Sequence, residues 1–310
     1  MSAAAAVKIE KVPYKGWPNC YRITNGEVEL VVTSDVGPRI MRYAFVGGRN
    51  IFKEFPESLG KSGETTWVAR GGHRLWASPE DAVRTYALDN GPVHIEIKGG
   101  VLEAIEPVEP LTGLEKYITV KLSPTGTGVE VLHRIRNAGT KPVTLAAWAL
   151  TMMAQGGVAI HGFPPRGSHS TVLGPTNPLT MWAYTNLADP RWRFTRKYLI
   201  LRQDPHDSDS QKLGSFNQHT WAAYVLDSEL FIKHYDAQAS PKGYPDFGCS
   251  FETYTDADFL EMETLGPLTR LKPGASVEHV EYWTLHKNVQ LHDYTDAELD
   301  RVLLPLVNSR

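Results

Sequence analysis

The chain of 310 residues contains only two cysteines, Cys20 and Cys249, too few to staple a protein of this length and at a spacing that matches no zinc or redox motif. Two free thiols are expected. No stretch reaches the ~18 consecutive apolar residues of a membrane span, and the first residues form an alanine run with no basic start, so the reading is a soluble, cytoplasmic protein without a membrane partner. Neither sign of charge dominates. With 32 Lys plus Arg against 35 Asp plus Glu the net charge is -3, which removes the electrostatic drive toward phosphate backbones and makes nucleic acid a poor partner. The 11 histidines include no HxH, HxxxH or HExxH spacing, so no metal site is expected. A G-x-S-x-G elbow, a P-loop and a dinucleotide glycine pattern are also missing, which argues against the corresponding hydrolases, NTPases and dehydrogenases and points to no cofactor.

What is present is a globular composition, 42% hydrophobic and 22% charged, punctuated by 26 Gly and 21 Pro in small turn clusters. The segments between the turns are short and alternate apolar with polar, the rhythm of antiparallel β structure. Glu27 to Thr33 and Arg39 to Phe45 read as a hairpin, and Tyr117 to Leu122, Val129 to Arg136 and Val143 to Met153 as a three-strand meander through the Asn137-Ala-Gly-Thr140 turn. Further strands are expected at Thr220 to Leu226, Glu229 to Tyr235, Cys249 to Thr255, Asp258 to Leu265 and Val277 to Leu285. The stretch His161 to Gly214 has weak periodicity and reads as loops over one sheet. One helix is expected, over about residues 295 to 307, where Thr295 and Glu298 form a capping box ahead of Leu299, Val302, Leu303 and Leu306. With no repeat and no low-complexity linker, the chain reads as a single mainly β domain over residues 1–310, a large β-sandwich whose short C-terminal helix packs on a sheet.

Two clusters could carry chemistry. In Arg70-Gly-Gly-His-Arg-Leu-Trp76 two glycines allow a sharp turn or a close approach, followed by an imidazole, a guanidinium and an indole. That mixture suits a sugar, with Trp76 stacking on a pyranose face while His73, Arg74 and Arg70 supply polar groups. The structural alternative is a loop whose arginine pairs with Glu80 and whose tryptophan fills the core. In Glu261-Met-Glu263 both carboxylates share one strand face, and their repulsion would raise one pKa and poise it for proton transfer. A solvated edge strand explains the alternation equally well. Asp246 and Glu252, which bracket Asp246-Phe-Gly-Cys-Ser-Phe-Glu252, are weaker candidates for binding.

Taken in order, Gly71-Gly-His-Arg-Leu-Trp76, then Val129-Glu-Val-Leu-His-Arg-Ile-Arg-Asn137 with Gly139 and Lys141-Pro142, then Leu260-Glu-Met-Glu-Thr264 ahead of Leu271-Lys-Pro-Gly274 resemble the aldose 1-epimerase, or galactose mutarotase-like, superfamily over roughly residues 20 to 287. The resemblance looks strongest to a branch with a GGHRLW-type motif. It implies a large twisted antiparallel β-supersandwich and a cofactor-independent isomerase that interconverts the anomers of a free aldose, a glutamate taking the proton of the anomeric hydroxyl and a histidine protonating the ring oxygen. By that resemblance Glu263, before Thr264, is the base, with Glu261 as alternative, and His73 is the catalytic or sugar-binding histidine. The second histidine of the family would fall at Ala149, so the acid is left to His73 or to a loop histidine such as His161 or His219. A noncatalytic carbohydrate-binding protein on the same scaffold is the alternative, and a glycosidase or polysaccharide lyase the third. Side-by-side Glu261 and Glu263 fit that last role only if Asp246 or Glu252 opposes them.

Overall fold

The structure, a computed structural model, describes residues 6–309; residues 1–5, which include most of the alanine run, lie outside the described residues. In chain order the strands are Lys8–Tyr14 (β1), Trp17–Thr24 (β2), Val28–Thr33 (β3), Arg39–Phe45 (β4), His73–Ser78 (β5), His94–Lys98 (β6), Val101–Ile105 (β7), Leu114–Leu122 (β8), Val129–Asn137 (β9), Val143–Met153 (β10) and Val158–Gly162 (β11). They continue as Leu179–Met181 (β12), Trp192–Phe194 (β13), Tyr198–Arg202 (β14), Gln211–Ser215 (β15), Trp221–Leu226 (β16), Glu229–Tyr235 (β17), Phe251–Thr255 (β18), Leu260–Leu265 (β19), Thr269–Leu271 (β20) and Ser276–His286 (β21), followed by the helix Asp296–Val307 (α1).

Two antiparallel sheets result. The larger runs β1-β2-β3-β4-β5-β10-β19-β18-β15-β12, with β20 also paired to β10; the smaller runs β13-β14-β11-β16-β17-β21-β9-β8-β7-β6. Alternation decides which side chains meet between them, because successive residues of a strand point to opposite faces. Val131 and Ile135 of β9, Leu75 of β5, Leu260 and Met262 of β19, Phe251 of β18 and Leu213 of β15 enter one apolar cluster between the sheets. Tyr43, Phe52, Phe231 and Trp283 interlock there, with ring centroids 5.6 to 6.3 Å apart.

The mainly β architecture with one C-terminal helix agrees with the sequence reading, as do the expected strands after Thr220. Three local expectations are corrected. β8 and β9 pair, but β10 does not continue the meander: it joins β5, β19 and β20 in the facing sheet. Asn137 makes that crossing by donating to Lys141 O and Leu271 O, so its turn ties the two sheets together instead of closing a hairpin. The stretch read as loops holds β12 to β15: β12 and β13 are three residues each, too short to show a period, while β14 and β15 are buried on both faces and carry no alternation. The helix starts at the expected cap, Thr295 accepting from Glu298 N, but Glu298 does not return the bond; its Oε1 accepts from His292 N. Leu299, Leu303 and Val307 pack the helix on the outer face of the smaller sheet, against Ile160, Ile200, Trp221, Ala223 and Ile232.

Candidate functional site

The double glycine comes first, because it aims the strand that follows. Gly71 and Gly72 both hold positive φ, and a Cβ at Gly71 would sit 2.0 Å from Lys53 O and one at Gly72 2.4 Å from Ile40 O. Only glycine fits between these backbones, so the pair serves chain crossing. Arg70 does the same work: fully buried, it donates to Ser58 O, Lys61 O, Glu64 Oε2 and Asn90 Oδ1 and clamps the loops before β5. It is not brought to the site, a correction to its expected substrate-binding role.

From His73 onward the chain is β5, and the period of two separates neighbours. Arg74 and Trp76 point to the outer face of the larger sheet, whereas His73 points inward between the sheets. There His73 Nδ1 meets Thr151 Oγ1 at 2.8 Å and its Nε2 meets His133 Nε2 at 2.6 Å. His133 Nδ1 donates to His279 O, which leaves its Nε2 as acceptor, so His73 Nε2 carries the proton and its Nδ1 accepts from Thr151. Lys233 Nζ completes the cluster by donating to Thr151 Oγ1, Met262 O and Glu281 Oε1, and Trp283 Nε1 donates to Glu281 Oε2. Burial holds His73, His133 and His279 below the ordinary histidine value, His279 at about 3, so the tautomers are those of neutral rings. His73, His133 and Glu281 stand within metal-binding reach of one another. Both oxygens of Glu281 are nevertheless occupied by Lys233 and Trp283, and the ammonium is the cation this cluster already contains.

The outer face carries the other candidates. Pairing aligns Arg74, Leu150, Glu263, Glu252 and Gly214 across β5, β10, β19, β18 and β15, with Trp76, Trp148 and Leu265 in the row on one side and Met152, Glu261, Tyr254 and Lys212 in the row on the other. Arg74 donates to Glu261 Oε1 at 2.8 Å and lies 4.1 Å above the Trp76 ring. Glu263 Oε2 accepts from Trp148 Nε1 at 2.8 Å and from Lys212 Nζ at 2.9 Å. The same ammonium lies 2.8 Å from Glu252 Oε2 and faces the rings of Trp148 and Trp182. Asp246 borders this face, its Oδ2 being 3.4 Å from Ser78 Oγ. Thus Glu261, Glu263, Arg74, Trp76, Glu252 and Asp246 share one region, and His73 and Arg70 do not. Ala149, where the second histidine was expected, pairs with Leu75 and Thr264 and faces inward, so a histidine there would not reach Glu263.

Lys212 and Trp148 are the residues sequence reasoning missed. Burial raises the Glu252 carboxyl well above the usual range, and Glu261 is raised for the same reason despite Arg74. Tyr86 packs edge-on against Trp76 and Trp67 tilts against it, with Tyr86 donating to Glu80, while half-exposed Tyr184 packs on Tyr254. Beneath these rings Glu263 is fully buried and Glu261 is 7% exposed. Glu263 Oε1, Glu252 Oε1, Arg74 Nε and Trp67 Nε1 are buried without a hydrogen-bond partner, an unusual concentration of unused polar capacity.

Several solved structures share this sandwich. A Klebsiella pneumoniae protein assigned provisionally as an aldose 1-epimerase superposes over 96% of this chain and 86% of its own, with a TM-score of 0.61 at 12% identity. The galactose mutarotase related enzyme from Lactobacillus acidophilus matches over 89% of this chain and 98% of its own, with a TM-score of 0.54 at 11% identity. The chain has the galactose mutarotase-like fold. A galactose mutarotase-like protein from Lactobacillus casei agrees, with a TM-score of 0.52 at 12% identity over 86% of this chain and all of that one. No protein-family model and no curated protein matches the sequence. Among the described residues no helix is long and apolar enough to cross a membrane.

Proposed function

We propose that the chain is a cofactor-independent mutarotase or epimerase acting at the anomeric centre of an aldose on the outer face of the larger sheet, with carboxylates in both proton-transfer roles. The observation that carries this reading is that Glu263 and Glu252, cross-strand partners, share the Lys212 ammonium while each keeps one buried oxygen without a partner. Glu263, hydrogen-bonded by Lys212 and Trp148, offers its free Oε1 to the proton of the anomeric hydroxyl. Glu252, whose carboxyl is raised well above the usual range by burial against the opposing pull of Lys212, is assigned as the donor of a proton to the ring oxygen. The ring opens, C1 rotates about its bond to C2, and the reverse transfers close it on the other face. Arg74 with Glu261 and the indoles of Trp76 and Trp148 give the sugar polar partners and an apolar wall. Access requires the rings over the carboxylates, Tyr184 and Trp182 on one side and Tyr86 and Trp67 on the other, to move aside.

The complete burial of Glu263 favours a second reading, a noncatalytic sugar-binding protein whose carboxylates hold the floor of the site. Mutarotation of freshly dissolved α-aldoses, followed by polarimetry, separates the two. One positioned acid or base contributes about 10² to 10⁴ in rate, so Glu263→Gln and Glu252→Gln should each lose that factor while affinity stays within about tenfold. A wild type that binds a sugar yet never exceeds the spontaneous rate leaves the binding reading; a dead Glu261→Gln with active Glu263→Gln moves the base by two residues.

A further inference from the structure

On the opposite side of the molecule, the outer face of the smaller sheet holds a cavity of about 330 Å³ between the ends of β11, β14 and β16 and the helix α1. Its size falls at the lower end of the roughly 300 to 1,000 Å³ of small-molecule pockets. The floor is aromatic: Trp221 is 5% exposed and Tyr198 3%, and Phe163 and Leu304 complete the apolar wall. The charges divide into two groups. Asp300, the acidic group lining the cavity, is neutralised locally, since it accepts from both Lys197 Nζ and Tyr198 OH. Arg166 and Arg196 line the same cavity and the shallower groove that continues from it, and neither makes an ion pair or hydrogen bond among the described residues. His219 donates to Phe163 O and packs over Gly162, where a Cβ would sit 2.5 Å from its ring.

The backbone under this cavity is strained. Thr220, between His219 and Trp221, has φ of 56°, a conformation that a β-branched residue adopts at a cost of order 1 to 3 kcal/mol. That strain sets the indole of Trp221 into the floor and the imidazole of His219 at the rim. An apolar floor under two unpaired guanidinium groups complements one kind of molecule, flat and apolar at one end and anionic at the other.

We infer that this cavity is a binding site for an organic anion, the aromatic or other flat apolar body lying on Trp221 and Tyr198 and the carboxylate, sulfonate or phosphate meeting Arg166 and Arg196. The site is independent of the carbohydrate reading, being built from other strands on the other sheet. Isothermal titration with naphthalene-2-sulfonate tests it. Saturable 1:1 binding is expected, weakened at least tenfold for the neutral naphthalene-2-sulfonamide and at least tenfold in Arg166→Gln/Arg196→Gln, whose exposed positions leave folding intact by circular dichroism. Leu304→Trp, which fills the cavity from the helix, should abolish binding. A wild type without saturable heat, a sulfonamide that binds as well as the sulfonate, or a double variant with unchanged affinity overturns the inference.

Discussion

His73 Nε2 lies 2.6 Å from His133 Nε2, between the sheets and on the opposite face of β5 from the carboxylates that its neighbour Arg74 touches. The imidazole with the strongest sequence claim to catalysis is therefore a core donor. Its ring is fully buried, and the directed chain from Lys233 through Thr151, His73 and His133 to His279 O uses both of its nitrogens.

Replacing His73 by alanine should then act on stability. It leaves His133 Nε2 and Thr151 without their partner, at about 1 to 3 kcal/mol for each stranded buried group, besides the cavity. Urea unfolding should show that loss, and the folded fraction should keep its sugar affinity. Affinity lost with stability unchanged would return His73 to the site.

The two clusters show why one part of the site was legible and another was not. The spacing Glu261-x-Glu263 fixed a shared face because Leu260, Met262 and Leu265 mark the strand around it. The same period applied to residues 73 to 78 would have separated His73 from Arg74, but the double glycine and dense polar residues disguised a strand as a loop. Lys212 was invisible for another reason. It lies on β15, five residues buried on both faces, where composition carries no alternation and only cross-strand pairing brings the ammonium to Glu252 and Glu263.

Gly71→Ala and Gly72→Ala should each destabilise by at least about 2 kcal/mol, since left-handed backbone alone costs an L-residue roughly 1 to 2 kcal/mol and the added carbons strike Lys53 O and Ile40 O. Thermal melts of the two variants check this. Gly47→Ala provides the control: its φ is also positive, but nothing lies within 4 Å of the added carbon. Equal losses at all three positions would show that backbone strain, not the close crossing, sets the cost.

Stability should fall as the pH drops below about 6.5. His73, His133, His161 and His279 are all held by burial below their unfolded value, His161 at about 4 and His279 at about 3. Between those values and the unfolded one the unfolded chain binds more protons, so stability rises with pH, by up to about 1.4 kcal/mol per pH unit for each histidine. Their contribution is whole above the unfolded value and is lost progressively beneath it. Glu281 adds a loss at lower pH: burial is the largest influence and would raise it, but Lys233 together with the imidazoles of His73, His133 and His279 holds it below the usual range, so its contribution disappears as the pH falls through the ordinary carboxyl region. Urea midpoints at pH 7, 6 and 5 measure the slope, and a flat profile contradicts the neutral assignment of the core histidines.

Lys212→Met should respond to pH in a different way from the wild type. Removing the ammonium leaves Glu252 and Glu263 facing each other in a buried setting, and breaking such a pair typically costs about 3 to 5 kcal/mol. Without Lys212 the influence that lowers the Glu252 carboxyl is gone, and burial with the neighbouring carboxylate raises it further above its unfolded value. Groups raised in this way stabilise at low pH and lose that contribution as the pH rises through the folded value. The deficit relative to wild type should therefore be largest at pH 7 to 8 and shrink toward pH 5, even while the histidines weaken both proteins. Paired denaturation curves across that range give the difference directly. A deficit that stays constant with pH would mean that the ammonium contributes packing against Trp148 and Trp182, and that the two carboxylates are not coupled through it.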